Sequence, residues 1–524
     1  MDRRLIIAIT LSFVVLVASQ LLFAPKQQIL NSKKNIKAVQ SSVKTGTTPG
    51  KEPVNISETV KTAAVKKTIN LTPAVKLQNL VMRVAFFSDG TVASVKLLKY
   101  KDKSGTPTEL VTYQDNFRPM AIVFADKKLN EEASNVQYNN VVKGKKLLKN
   151  GRTIVVFTAK FKEFVLKKVF TFYPDKYLYN VHIVFENPDG TKLKKAPVWG
   201  LTLGPHLGHL KKKKYGFLGA AVYANGKLKE YKKIKEAIHK KTSNISWIGL
   251  ESKYFASLLV PEKNALGFQM SEDTLNASFY TTVLYDSPDV TTSVYMGPKE
   301  YFRLKPLGHN LIYVINYGML GFLARPLLVV LHFFFTLFGN YGIAIIVLTF
   351  IIRLFFAPLS HKSFVSMKKM QELQPKIKEL RQKYKGKPEQ LNKATMELYK
   401  RYKVNPMGGC LPIVLQIPVF FALYKVLLSS IELRGAPFFL WIKDLSVADP
   451  YYITPILMGV SMFLQQKLQP TSVDPRQAKM MLALPVVFTF MFLGFPAGLV
   501  IYWLTNNLLA IAQQLLIDRR AKKV

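Results

Sequence analysis

Arg353 sits inside an otherwise apolar run, Tyr341-Gly-Ile-Ala-Ile-Ile-Val-Leu-Thr-Phe-Ile-Ile-Arg-Leu-Phe-Phe-Ala-Pro358, and constrains function more than any other residue in the chain. A cation in hydrocarbon costs from about 3 to more than 10 kcal/mol, so it reads as a functional group that faces protein or a wet cavity. The alternatives are a side chain that snorkels to headgroups near His361 and Lys362, or one that answers a structural carboxylate. The nearby apolar segments hold no Asp or Glu, which leaves the guanidinium available to a transient anionic or polar partner. Thr349 lies one turn earlier on the same helix, and Gln416, Gln465, Gln466, Thr505, Asn506 and Asn507 are polar residues in other apolar segments. Singly each is interhelical glue worth about 0.6 kcal/mol. Together with an unpaired arginine they suggest a hydrophilic cavity within a helix bundle.

Enzyme chemistry finds little support. There is no phosphate-binding glycine loop, no HExxH and no G-x-S-x-G, and the chain has only seven histidines. His206 and His209 in Gly204-Pro-His-Leu-Gly-His-Leu have the side chains of metal ligands, but a pair in a glycine-rich turn reads as a loop, so no metal or cofactor is expected. Cys410 is the sole cysteine, which excludes an intramolecular disulfide.

The elements that must position Arg353 follow from where apolar residues cluster. Of 524 residues 49% are apolar, and they concentrate in membrane-length blocks. The first, Leu5 to Phe23 behind Arg3 and Arg4, reads as an uncleaved anchor (1–24) because it lacks a clean small-x-small cleavage site. Five more spans are expected at about 341–360, 407–430, 450–468, 479–495 and 497–516. Residues 25–75 have the composition of a flexible tether. Across 76–308 short alternating runs such as Thr153-Ile-Val-Val-Phe-Thr-Ala recur between turn signals such as Ser88-Asp-Gly-Thr, which predicts a large all-β sandwich. The apolar segment 309–340 is broken by Gly318, Gly321 and Arg325-Pro326 and is expected to lie along the membrane interface as an amphipathic helix.

Residues 361–406 form the most polar and helical stretch. Met367, Met370, Leu373, Ile377, Leu380 and Tyr384 make one stripe, and Leu391, Ala394, Leu398 and Tyr402 make a second beyond Gly386-Lys387-Pro388. This predicts a two-helix hairpin with facing apolar seams, carrying thirteen Lys or Arg against four Glu. The basic short loops place the N-terminus, hairpin and tail in the cytoplasm and the β-domain outside. Much of the excess behind the formal charge of +42 is lysine across 26–310 without a recognition motif, which fits a surface facing anionic lipid or an unusually basic organism better than nucleic-acid binding.

Read together, Gln374-Pro-Lys-Ile, Asn405-Pro-Met-Gly-Gly-Cys-Leu-Pro412, Gln416-Ile-Pro418, Pro437-Phe-Phe-Leu-Trp441, Asp444-Leu-Ser446, Asp449-Pro-Tyr-Tyr-Ile453, Pro455-Ile-Leu-Met-Gly459 and Phe495-Pro-Ala-Gly-Leu499 give the chain a marked likeness. It resembles the YidC-type membrane protein insertases of the Gram-negative bacterial kind over nearly its whole length. The resemblance implies six transmembrane helices, five of them a core around a hydrophilic groove open to cytoplasm and lipid, and a periplasmic domain resembling a β-supersandwich. It places the groove arginine on Arg353, the groove threonine on Thr349 and a substrate-contacting aromatic pair on Tyr502 and Trp503, beside Gln416 and Asn506, which the polar pattern of the spans already places in the groove. Where the family often has two adjacent tyrosines, this chain has Tyr502-Trp503. It assigns the hairpin residues Lys368, Lys369, Gln374, Pro375 and Lys376 to the cytoplasmic face. The implied partners are nascent membrane proteins, the Sec translocon, the ribosome and targeting receptor, and membrane lipids. An anion transporter using Arg353 is the main rival, though no internal repeats are visible. A membrane-anchored carbohydrate enzyme is the other.

Overall fold

The computed structural model describes residues 73–521, apart from 103, 112–117, 144–150, 205–206, 208–216, 274–277, 403, 405–410 and 469–474. The expected anchor 1–24, nearly all of the tether, His206, His209 and Cys410 fall outside the described residues. The chain divides into two compact units. One runs to Val330 and includes Phe421–Val447; the other contains Leu331–Phe420 and Ala448–Val524.

The first unit is built on antiparallel strands in three sheets of four, five and nine strands. The largest runs in the order Lys227–Tyr231, Gly219–Ala224, Ile245–Glu251, Phe255–Pro261, Asp289–Pro298, Leu178–Glu186, Val165–Phe172, Thr153–Lys160 and Tyr138–Lys143. Its later strands bury alternate residues, as a period of two requires: Leu166, Lys168, Phe170 and Phe172 point inward from Val165–Phe172. Phe86, Phe157 and Phe170 meet with centroids 4.8–5.7 Å apart, and Trp199 packs on Tyr285 at 4.8 Å. The expected turn at Ser88-Asp-Gly-Thr forms between Met82–Phe86 and Val92–Lys101. Asp89 Oδ1 accepts from the Thr91 backbone N–H and hydroxyl, while Gly90 adopts φ +73°; a Cβ there would strike the Phe157 ring at 2.8 Å.

Helix α1 (Lys127–Asn135) and the single turn α2 (Tyr301–Leu304) belong to the same unit. Three short 3₁₀ turns lead to α3 (Gly321–Phe338), which keeps Pro326 inside it. Gly318–Phe338 has the length and apolarity to cross a membrane, where the sequence reading expects an interfacial helix.

In the second unit α4 spans Tyr341–Glu372, started by Asn340, whose side chain accepts from the Gly342 and Ile343 backbone N–H groups at 2.8 and 3.2 Å. The hairpin therefore does not begin as a separate helix near His361: α4 runs unbroken through the change from apolar to basic residues. A helix is held by backbone bonds, which are indifferent to that change; the break comes at Leu373, and α5 (Gln374–Lys383) restarts with Pro375 in its first turn. Helix α6 (Pro388–Arg401) returns after Gly386, at φ +81°. Met370, Leu373, Ile377 and Val404 form the buried seam, with Leu398 and Tyr399 against them. The remaining helices are α7 (Leu411–Ser429, its last residues in the first unit), α8 (Ile453–Leu468), α9 (Pro475–Phe492) and α10 (Ala497–Ala521). Among the described residues three helices are long and apolar enough to cross a membrane, Gly318–Phe338, Tyr341–Glu372 and Ala497–Arg519, with shorter apolar helices at Gln416–Ser429 and Ala483–Phe492.

Candidate functional site

Helix α10 organises the polar residues of the second unit, packing against α4 and α8. Its amides turn outward in different directions and tie its neighbours. Gln416 Nε2 on α7 donates to Asn506 Oδ1 at 3.1 Å. Asn507 Nδ2 donates to Ser461 Oγ at 3.0 Å and reaches the Met458 carbonyl on α8. One turn or more later, Gln513 Nε2 donates to the Ala357 carbonyl on α4 at 3.2 Å, and Gln514 bonds the Leu468 carbonyl at the end of α8. Of these, Ser461, Gln513 and Gln514 were not singled out as candidate residues from the sequence. The signal available was spacing: Asn507 and Gln514 are seven apart and share one helix face.

Arg353 is half-buried on α4. Its Nε is buried and has no hydrogen-bond partner, and no carboxylate lies within ion-pair distance among the described residues. The titratable side chain close enough to affect it is Tyr502. Tyr502 is 2% exposed and also faces Gln416, and Phe420 stacks on its ring at 6.1 Å. The structure thus brings Arg353, Tyr502, Gln416 and Asn506 into one connected set. Trp503 points to an aromatic group instead, meeting Phe420 at 4.8 Å, Phe492 at 5.1 Å and Phe488 at 5.8 Å. Thr349 is 1% exposed, and its hydroxyl donates to the Ile345 carbonyl of its own helix at 2.6 Å.

In the hairpin, Lys368 and Lys369 lie on the last turns of α4, while Pro375 and Lys376 are exposed at the start of α5. The Lys376 ammonium bonds the Tyr402 hydroxyl and lies 4.3 Å from its ring centroid, so α5 is fastened to the end of α6 at this point. Gln374 Nε2 is buried without a partner. No group of three or more metal-ligating side chains occurs among the described residues, and the expected His206 and His209 pair lies outside them.

An apolar helix set with a half-buried cation that has no carboxylate within ion-pair distance among the described residues, continuous in sequence with a large β-domain, defines a membrane protein with several apolar helices. The family model described as "60Kd inner membrane protein" matches residues 333–524, and that described as "YidC periplasmic domain" matches residues 74–330. A relative named "Membrane protein insertase YidC" from Geotalea daltonii is 38% identical over 99% of both chains. One of the same name from Syntrophus aciditrophicus is 39% identical over 99% of this chain and 100% of its own, and one from Geobacter sulfurreducens is 47% identical over 67% and 68%. The chain belongs to the YidC family of membrane protein insertases, inner-membrane proteins that carry a periplasmic domain and are not enzymes.

Proposed function

We propose that this chain inserts nascent proteins into the bacterial inner membrane through a hydrophilic groove lined by Arg353, Thr349, Gln416, Tyr502, Trp503 and Asn506. The observation that carries this reading is Arg353, a half-buried guanidinium with no carboxylate within ion-pair distance among the described residues, near Tyr502 of α10, which in turn faces Gln416 of α7. A short polar tail must pass about 30 Å of hydrocarbon, where each unsatisfied backbone group costs several kcal/mol. A wet recess shortens that distance. The guanidinium attracts the acidic or polar tail, and the apolar part of the client partitions into lipid and draws the tail across. No nucleotide is required.

In this reading the N- and C-termini and the hairpin are cytoplasmic, and the β-domain is periplasmic. Six helices span the membrane and residues 309–340 lie at the interface. Lys368, Lys369, Gln374, Pro375 and Lys376 present the hairpin to the ribosome, the targeting receptor and the nascent chain. Insertion proceeds alone or beside the Sec translocon. Thr349, with its hydroxyl turned to its own backbone, contributes shape to the groove more than a free hydrogen bond.

The test is photocrosslinking of a ribosome-bound, single-span client with an acidic N-terminal tail to a probe at position 503, with Arg353 intact and in Arg353→Ala. Crosslinks in the intact protein together with failed insertion in the variant support the reading. Absence of crosslinks with unaffected insertion would assign Arg353 a structural role.

A further inference from the structure

The loop between α7 and α8 presents an apolar tip that neither the helices nor the strands cover. Leu440 is 83% exposed and Phe439 54%. Leu440 also holds φ +54°, a backbone region that side chains other than glycine seldom adopt. The same loop buries Ile431, Leu433, Ile442 and Leu445, whereas Leu440 stays exposed. Backbone bonds fix that arrangement: Phe438 N–H to the Ile442 carbonyl at 2.9 Å, Ile442 N–H to Phe439 at 3.1 Å and Leu445 N–H to Ala436 at 3.0 Å.

The loop is also fastened to the β-strands of its own unit. Arg434 donates to the Lys101 carbonyl at 2.8 Å, and its guanidinium lies 5.2 Å from the Phe255 ring centroid and 5.9 Å from that of Tyr254. A strained, fully projected leucine on an anchored loop is a feature that water gives no reason to keep.

We propose that Phe439 and Leu440 insert into the headgroup-to-acyl boundary of the bilayer and fix the depth at which the β-domain rides on the membrane. Three observations favour lipid over a protein partner. The tip follows the apolar helix segment Gln416–Ser429 by ten residues, so it is tethered close to the hydrocarbon on that side. Trp441 and the exposed Lys443 follow it directly, the pairing of amphipathic ring and cation that suits the interface and its anionic headgroups. The same unit exposes a second apolar set of matching character, Met319 at 92% and Phe322 at 74%, on a segment apolar enough to enter a bilayer. The choice of leaflet alone rests on the topology proposed above.

The test uses the full chain in proteoliposomes, with Cys410→Ser as background and an environment-sensitive fluorophore on Leu440→Cys. Nitroxide-bearing phospholipid is expected to quench the probe roughly twofold, more when the nitroxide sits near the glycerol than near the chain end, with little quenching by aqueous iodide. Quenching by iodide but not by nitroxide lipid overturns the proposal in favour of a solvated tip, and protection from both overturns it in favour of a protein cover. Labelling of Lys443→Cys by a membrane-impermeant maleimide from one side reports the leaflet, so a failed topology is told apart from a failed insertion of the tip.

Discussion

Gln416 on α7 and Asn506 on α10 share a hydrogen bond of 3.1 Å, while the very next residue, Asn507, turns to Ser461 on α8. One step along a helix rotates the side chain by roughly a quarter turn, so two adjacent asparagines reach two different helices. The first bond is part-buried; the second is buried.

A double-mutant cycle on Gln416→Leu and Asn506→Leu should therefore show a small coupling, about 0.6 kcal/mol, when stability is measured by unfolding in mixed micelles. Insertion of a client with a polar tail should fall in each single variant by more than this stability loss accounts for. Equal losses in stability and insertion would make the pair a simple strut.

Asn507→Leu should be more costly to the fold than Asn506→Leu. Asn507 is 3% exposed and donates to both Ser461 Oγ and the Met458 carbonyl, so its removal loses two buried hydrogen bonds, about 1–3 kcal/mol together, even though Ser461 Oγ still donates to the Met458 carbonyl at 2.6 Å. Thermal unfolding of the two variants side by side reads the difference directly. Ser461→Ala, which removes the hydroxyl between Asn507 and the Met458 carbonyl but leaves Asn507 able to donate to that carbonyl, should fall between them.

Much of this was legible before any coordinates. The apolar blocks, the strand alternation, the Ser88-Asp-Gly-Thr turn and the hairpin seam through Met370, Leu373 and Ile377 all follow local periodicity, which a single sequence displays. The unpaired state of Arg353 was legible because no acid occurs in the neighbouring spans. Ser461 was not, because pairing between helices depends on their relative rotation, and neither residue shows a pattern that fixes it. Where the helix breaks was not legible for a related reason: polarity changes near His361, but the backbone bonds of α4 continue to Glu372. Thr349 was placed on the right helix, yet the direction of its hydroxyl is a rotamer choice that sequence does not reveal.

Gly459 predicts a packing limit. A Cβ at this position on α8 would overlap Thr489 Oγ1 on α9, and that hydroxyl is already committed to the Pro485 carbonyl at 2.7 Å. Gly459→Leu should destabilise the helix bundle by about 1–3 kcal/mol through overpacking. Gly459→Ala should cost less, and Thr489→Ala combined with it should recover most of the loss in the same unfolding assay. A lack of rescue would mean that the two helices separate rather than collide.

The β-domain should show opposing responses to pH from two buried charges. Glu251 is fully buried; burial pushes its carboxyl up from 4.5 to about 7 and Glu230 adds to the rise, while Lys299 Nζ at 2.6 Å opposes it. A raised carboxyl means that the folded state holds the proton more tightly, so this contribution is complete below pH 4.5 and is lost as pH climbs through about 7. Lys168 is displaced the other way: burial lowers it from 10.5 to about 8, although Asp89 favours the charge and its ammonium donates to the Asp89 and Met120 carbonyls at 3.0 and 3.3 Å. Its cost is therefore present below pH 8 and relieved as pH rises toward 10.5. Each limb is on the order of 3 kcal/mol, and together they place a trough of stability between about 7 and 8. Hydrogen exchange of the strands in the intact protein, followed from acid to alkaline pH, should trace that trough. Glu251→Gln should flatten the acid limb and leave the alkaline one, and Lys168→Met should do the reverse. If both limbs survive both substitutions, other groups set the profile, and the two buried charges are balanced by their hydrogen bonds at every pH.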